Sequence, residues 1–285
     1  MGKITPDEPK SCRSCDQWNR PQEPFRVFGD TYYVGTTELS AVLIRTTDGL
    51  ILIDAALPQS APLIDENIRT LGFDTADIRL IVTSHTHYDH VGGIAALQRA
   101  SEAIVAASPK SAVALRQGNP TSDDPQFTIA DNGFPPVSGL RILEDGESLV
   151  VGDLRITAHF TPGHTPGSTS WSWQSCEGGR CVHVVYADSL NPVSADEFRF
   201  TGDATSPSIV DSFRRSIQTV RELPCDILLT PHPGFIGMNS KLERLRGGEA
   251  EAFIDSSACR TYASAADDSL SRRIQNESEA PGVAD

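Results

Sequence analysis

The feature that most restricts what this chain can become is a run of six residues, His85-Thr86-His87-Tyr88-Asp89-His90. It holds three imidazoles and a carboxylate, directly after the apolar, strand-like Leu80-Ile81-Val82-Thr83. A lone histidine is ordinarily a satisfied surface or core residue. Four ligand-type side chains at one strand's C-terminal end are hard to explain as structure alone. Imidazole nitrogen and carboxylate oxygen are the donor set of a borderline cation such as zinc. His85 and His87 alternate by two, so an extended backbone sends both to one side, with Asp89 on the same parity and His90 off it. A single cation cannot easily take all four, whereas two side by side can. The fold must therefore bring further ligands to this loop from elsewhere.

Two later loops offer them. Thr161-Pro162-Gly163-His164-Thr165-Pro166-Gly167-Ser168 holds a histidine in a turn fixed by proline and glycine. Thr230-Pro231-His232-Pro233-Gly234 holds another, after the strand-like Asp226-Ile227-Leu228-Leu229. Prolines on both sides of His232 narrow its backbone freedom, which suits a ligand held ready. His159 and His183 sit inside strand-like runs and read as core or supporting residues.

Around these loops the pattern is that of one α/β domain. Residues 1–24 are polar and punctuated by Pro6, Pro9, Pro21 and Pro24, and read as an arm that packs late. From Phe25 to residue 275 there is neither linker nor repeat, and residues 276–285 read as a polar tail. Ala41–Ile44 and Leu50–Ile53 flank Asp48-Gly49, a hairpin signal. Leu63, Ile64, Ile68 and Leu71 stand at helical spacing ahead of Gly72, a fitting helix stop. Helices are also expected over 93–100, 109–117 and 208–223, and a hairpin over 168–187. Residues 118–139 carry no such pattern, and a loop of that length in a compact domain is often a substrate lid.

Bulk properties exclude several classes. The 285 residues include 24 basic and 38 acidic ones, a formal net charge of −14. No basic stripe is available for a polyphosphate, which disfavours nucleic acid. No apolar run approaches the roughly 18 residues that span a bilayer. No lysine has a serine three residues before it, and no Gly-x-Ser-x-Gly elbow occurs, which disfavours a serine nucleophile. Six cysteines, Cys12, Cys15, Cys176, Cys181, Cys225 and Cys259, suit an oxidising compartment. Cys176 and Cys181 flank Glu177-Gly178-Gly179-Arg180 between two strand-like runs, so a disulfide can staple that hairpin. Cys12 and Cys15 read as a small structural disulfide rather than half a zinc ribbon or a redox pair. The N-terminus lacks the apolar core of a signal peptide, so the chain reads as a mature, periplasmic or secreted one.

Taken together, the H-x-H-x-D-H loop, Gly163-His164-Thr165-Pro166-Gly167-Ser168 and the late His232 resemble the metallo-β-lactamase superfamily, over Phe25 to Tyr262. Ala187-Asp188-Ser189-Leu190 and Leu223–Pro233 are similar to the third subclass of class B β-lactamases. The resemblance implies a four-layer αββα sandwich with a dinuclear metal site at one edge, and a disulfide matching Cys225–Cys259. It implies two Zn²⁺ per chain, one held by His85, His87 and His164, the other by Asp89, His90 and His232. His90 fills the place that other subclasses give to a cysteine. Ser189 and Asn191 fall where small polar side chains meet the substrate carboxylate, and Asn191 departs from the serine common there.

The expected reaction is hydrolysis of the β-lactam amide of penicillins, cephalosporins and carbapenems, giving antibiotic resistance. Water on zinc is acidified from about 15.7 to about 7, and Asp89 would orient the hydroxide. The partner would be the small-molecule substrate alone, the chain a monomer. Other readings are a glyoxalase-type thioesterase or a lactonase, an iron oxygenase or sulfur dioxygenase, and a non-catalytic metal binder. Iron sites leave the metal fewer protein ligands, and six ligands beside a long loop disfavour a passive binder. In the thioesterase an aspartate near position 188 bridges both metals; here Asp188 is expected to turn away and accept hydrogen bonds, leaving Ser189 nearer the pocket.

Overall fold

Alternation along the strands decides the architecture. In Gly49–Ile53, Ile51 and Ile53 face one way and Leu50 and Leu52 the other, and all four are buried. A strand apolar on both faces must be covered on both. In the computed structural model, which describes residues 4–204 and 206–279, two sheets lie face to face with helices outside each.

The first sheet consists, in spatial as in chain order, of β1 (Phe25–Phe28), β2 (Thr31–Tyr33), β3 (Val42–Thr46), β4 (Gly49–Ile53), β5 (Ile78–Val82), β6 (Ile104–Ala107) and β7 (Arg141–Ile142). It is antiparallel up to β4 and parallel from β4 onward. The second holds β8 (Ser148–Val151), β9 (Leu154–Phe160), β10 (Thr169–Glu177), β11 (Arg180–Tyr186) and β12 (Ile227–Leu229), antiparallel except where β12 lies parallel to β11. The helices are α1 (Cys15–Trp18), α2 (Ala61–Thr70), α3 (Tyr88–Val91), α4 (Ile94–Ser101), α5 (Pro109–Gln117), α6 (Val210–Glu222), α7 (Met238–Arg246) and α8 (Ala258–Glu279).

Three apolar clusters define the layers. Ile51, Ile53 and Val82 of the first sheet meet Trp171, Trp173 and Tyr186 of the second between the sheets. Leu52, Ile81 and Val105 pack outward against Ile64, Ile68, Leu97 and Leu115 of α2, α4 and α5. Val185 and Leu228 pack outward against Phe213 and Ile217 of α6 and Ala263 and Leu270 of α8. This is the expected αββα sandwich.

The hairpin forms, but its turn falls one residue before the Asp48-Gly49 signal: Val42 pairs with Ile53 and Thr46 with Gly49 around Thr47-Asp48, and Gly49 opens β4. α2 ends at Thr70, and Gly72 follows at φ +85°. Pro109 opens α5, where the Ser108 side chain accepts from the Ser111 amide. No helix or strand interrupts residues 118–139.

Cys15 of the arm is buried in the cluster beneath α2 and α4, bonded to Cys12. One reading needs correction. The polar stretch from 276 continues α8 as far as Glu279, and Glu277 is buried; residues 280–285 lie outside the described residues. The disulfides Cys176–Cys181 and Cys225–Cys259 are formed, the first across paired positions of β10 and β11.

Candidate metal centre

The loops after β5, β9, β11 and β12 leave the sandwich at one edge, where the sheets are tied together. Thr169 N donates to Ser84 O at 2.7 Å, and the Trp171 indole donates to Thr83 O at 3.0 Å. Behind the first loop, buried Asp54 accepts from Ser84 N (2.7 Å), Ser84 Oγ (2.6 Å) and Tyr186 Oη (2.8 Å). Asp54 adopts φ +59°, rare for a side chain with a Cβ, and the Ala55 amide holds His90 O at 2.8 Å. The strand end is thus fixed before the first histidine.

The extended backbone lasts only through His87, at φ −94° and ψ 150°. There α3 begins, so Asp89 and His90 sit on one helical turn, and their ligand atoms gather with that of His232 rather than with those of His85 and His87. The period-two parity drawn through Asp89 therefore fails at the change from strand to helix geometry. His164 stands on its turn beside α6, and a Cβ on Gly163 (φ +157°) would come within 2.3 Å of the Phe213 ring. Only glycine lets that helix pack against the turn.

The result is two triads. His85, His87 and His164 form one, Asp89, His90 and His232 the other, with ligand atoms within 4.8 Å of one another in each. The rings of His85 and His90 join the triads at 4.3 Å between centroids. Asp89 Oδ2 lies 3.2 Å from His90 Nε2 and 3.4 Å from His232 Nε2. All are buried except His232, which is partly open.

Partners on the far side of the rings decide which nitrogen faces inward. His85 Nδ1 donates to Asp188 Oδ1 at 2.6 Å, and its Nε2 has no partner. His164 Nδ1 donates to Asn191 O at 2.8 Å. His87 Nε2 lies 3.3 Å from Asp124 Oδ1. Among the described residues neither His90 nitrogen finds a well-directed hydrogen-bond partner, although Asp89 Oδ2 lies 3.2 Å from Nε2. Buried polar atoms almost always find partners, so imidazole nitrogens orphaned together call for a cation. Burial, reinforced by neighbouring imidazoles, lowers the pKa of His85 strongly and that of His164 to about 3, whereas for His90 the effect of burial is outweighed by Asp89, which raises it. His85 and His164 therefore stay neutral, as a metal ligand must.

The triads floor a cavity of about 580 Å³. Ser189 and Asn191 line it, as do Gln126, Ile129 and Asn132 of the long loop. Phe235 and Val193 are exposed at its mouth. Asp188 lies outside both triads, as expected, and its carboxylate accepts from the His85 ring at 2.6 Å.

Sequence reasoning missed several residues. Trp18 lines the cavity from the arm, its ring 5.6 Å from His232, and Glu38 stands at the rim. Asp124 and Asp54 were missed too, although a carboxylate ending the apolar run Leu50–Ile53 was a visible signal. His159 and His183 play no core or supporting part. His159 bonds Ser172 Oγ at 2.8 Å, and His183 is exposed beside Gln174 and Asp226.

The metallo-beta-lactamase superfamily model matches residues 35–234, and the chain belongs to that superfamily of hydrolases. Its structural neighbours include subclass B3 enzymes. The Rm3 metallo-beta-lactamase is 47% identical at a TM-score of 0.92, over 95% of this chain and 100% of that one. MEM-A1, a subclass B3 enzyme isolated from a soil metagenome library, is 46% identical at 0.88, over 92% and 98%. Curated relatives are more distant. Protein YobT of Bacillus subtilis (strain 168) is 31% identical over 145 residues, 50% of this chain and 59% of that one. The N-acyl homoserine lactonase of Bacillus thuringiensis is 22% identical over 185 residues, 56% and 68%.

Proposed function

We propose that this chain is a zinc-dependent β-lactamase that opens the amide of penicillins, cephalosporins and carbapenems. The observation that carries the reading is the pair of adjoining triads with orphaned imidazole nitrogens, in a chain that follows Rm3 over its whole length. His85, His87 and His164 would hold one zinc, and Asp89, His90 and His232 the other. Bound there, the cations supply Lewis acidity toward the amide carbonyl and make water acidic enough to attack at neutral pH.

The residues themselves position and exclude. Asp89 Oδ2 faces two imidazoles, while its Oδ1 meets no hydrogen-bond donor among the described residues and can accept the proton of the attacking water. Ser189 is buried at the cavity wall, with its hydroxyl available to a substrate carboxylate. Asn191 keeps His164 in place through its carbonyl, so its backbone has a role whatever the side chain meets. Trp18, Ile129, Val193 and Phe235 surround the opening with apolar surface that sheds water from a bound ring. The three disulfides support residence in an oxidising compartment, the periplasm or outside the cell, where such hydrolysis protects the cell from the antibiotic.

A lactonase is the second reading, favoured by the likeness to N-acyl homoserine lactonases. The test is loss of β-lactam absorbance on adding zinc-loaded enzyme, abolished by chelator and restored by zinc, beside a homoserine lactone and a glutathione thioester. Faster turnover of the lactone or thioester than of any β-lactam would sink the proposal, as would iron without zinc in active enzyme.

A further inference from the structure

Helix α1 is four residues long, and the Ser14 side chain gives its amides no cap. One uncapped turn is far below the length at which a helix supports itself in water. Yet its last residue, Trp18, is held at the mouth of the metal cavity against His232. The indole N–H has no acceptor among the described residues, so the ring is not fixed by its own polar atom.

The restraints lie just before and after it. Cys12 is bonded to Cys15, closing the turn that starts the helix, and Cys15 N donates to Cys12 O at 3.2 Å. Cys15 is only 3% exposed and packs on the core with Ile64 and Ile68, so the bridge ties the turn to the body of the sandwich. Trp18 N donates to Ser14 O at 2.8 Å, and Trp18 O accepts from Thr36 Oγ1 at 2.5 Å. Downstream, Asn19 Oδ1 accepts from Ser60 Oγ at 2.6 Å. Upstream, the Gln59 side chain pins Lys10 through its backbone N (2.9 Å) and O (2.8 Å), so without the bridge the uncapped turn would be held only at its flanks and free to fray between them.

We propose that the Cys12–Cys15 bridge is a positioning device: it holds Trp18 as a fixed wall of the substrate cavity, and through that wall it sets substrate affinity while leaving turnover to the metal-bearing residues. The proposal deepens the β-lactamase reading and rests on it for its kinetic part. An aromatic ring fixed in advance contributes its contact without an ordering cost, whereas a mobile one must be ordered by each substrate molecule. The affected quantity is KM, because Trp18 touches no reacting atom.

Two measurements on the full-length, zinc-loaded protein decide it. The chain has three tryptophans, and Trp171 and Trp173 are 0% and 3% exposed, so acrylamide quenching of fluorescence reads Trp18. In the Cys12→Ala/Cys15→Ala variant, quenching rises, and KM for a β-lactam rises about threefold to tenfold with kcat and zinc content unchanged. Trp18→Ala raises KM by the same factor in the bridged protein and adds nothing in the variant lacking the bridge. Unchanged quenching, unchanged KM or additive effects overturn the proposal. A joint fall of kcat and bound zinc also overturns it, since the bridge would then serve the fold at large. If the parent enzyme opens no β-lactam, the functional reading fails by itself, and quenching still decides where the bridge holds Trp18.

Discussion

Asp188 and Asp89 are both buried carboxylates beside histidines, and geometry gives them different work. Asp89 stands among the inward-facing nitrogens of its triad, while Asp188 grips the outward nitrogen of His85 at 2.6 Å. A carboxylate behind an imidazole fixes its tautomer and raises its basicity. Asp188→Asn is therefore expected to retain the fold but to weaken zinc binding about 10-fold to 100-fold, as read by competition with a chromophoric chelator. Asp89→Asn should instead lose most of the rate even at saturating zinc. Equal effects of the two substitutions would contradict this division. No carboxylate among the described residues hydrogen-bonds the outward nitrogen of His90, whose ring meets Asp89 on the inner side and whose backbone carbonyl accepts from the Ala55 amide.

The clearest departure from expectation among the elements is the end of α8. Glu277, in a stretch whose composition reads as a tail, accepts from the Phe200 amide (2.9 Å), the Thr201 amide (2.9 Å), Thr201 Oγ1 (2.8 Å) and Arg273 Nε (2.6 Å). It ties the last helix to the loop leading into α6. Burial alone would raise its pKa, but Arg273 and the Thr201 and Phe200 amides outweigh burial and hold it below the ordinary value. A carboxyl depressed on folding stabilises above its unfolded pKa, about 4.3, and that contribution is lost as pH falls through the folded value. Glu277→Gln should cost about 1–3 kcal/mol at pH 7 by presenting an amide to two backbone donors. The gap in thermal midpoint between the variant and the parent should close below about pH 4. A gap constant from pH 7 to pH 3 would show that shape, not charge, is what Glu277 supplies.

For the molecule as a whole, what the chain spells locally was legible and what it assembles over distance was less so. The hairpin at Thr47-Asp48, the helix ended by Gly72 and the histidine loop are written in neighbouring residues, and periodicity finds them. The six proposed ligands were legible because their types are rare together and their loops are stiffened by Pro162, Pro231 and Pro233. Trp18, Asp124 and Asp54 were not, since nothing near them in sequence says which distant histidine they meet. Cys225 and Cys259 are joined across 34 positions, and their pairing followed from family likeness alone. Closing that loop is worth about 3–4 kcal/mol in the chain-entropy model. Replacing both by alanine should lower the denaturation midpoint accordingly, and an unchanged midpoint would place the stabilisation of α8 elsewhere.

The site straddles the seam between the sheets: His85, His87, Asp89 and His90 extend from the first sheet, whereas His164 and His232 extend from the second. Neither half of the sandwich offers a complete triad, so the unfolded or half-assembled chain offers a cation the His85–His90 run without the two ligands that complete it. A ligand that recognises only the finished state adds to folding by mass action, about 2.7 kcal/mol at a hundredfold excess over its dissociation constant. With zinc in the proposed site, the lifetime of this protein becomes a property of its surroundings: where free zinc is scarce, loss of the metal and loss of the fold draw together.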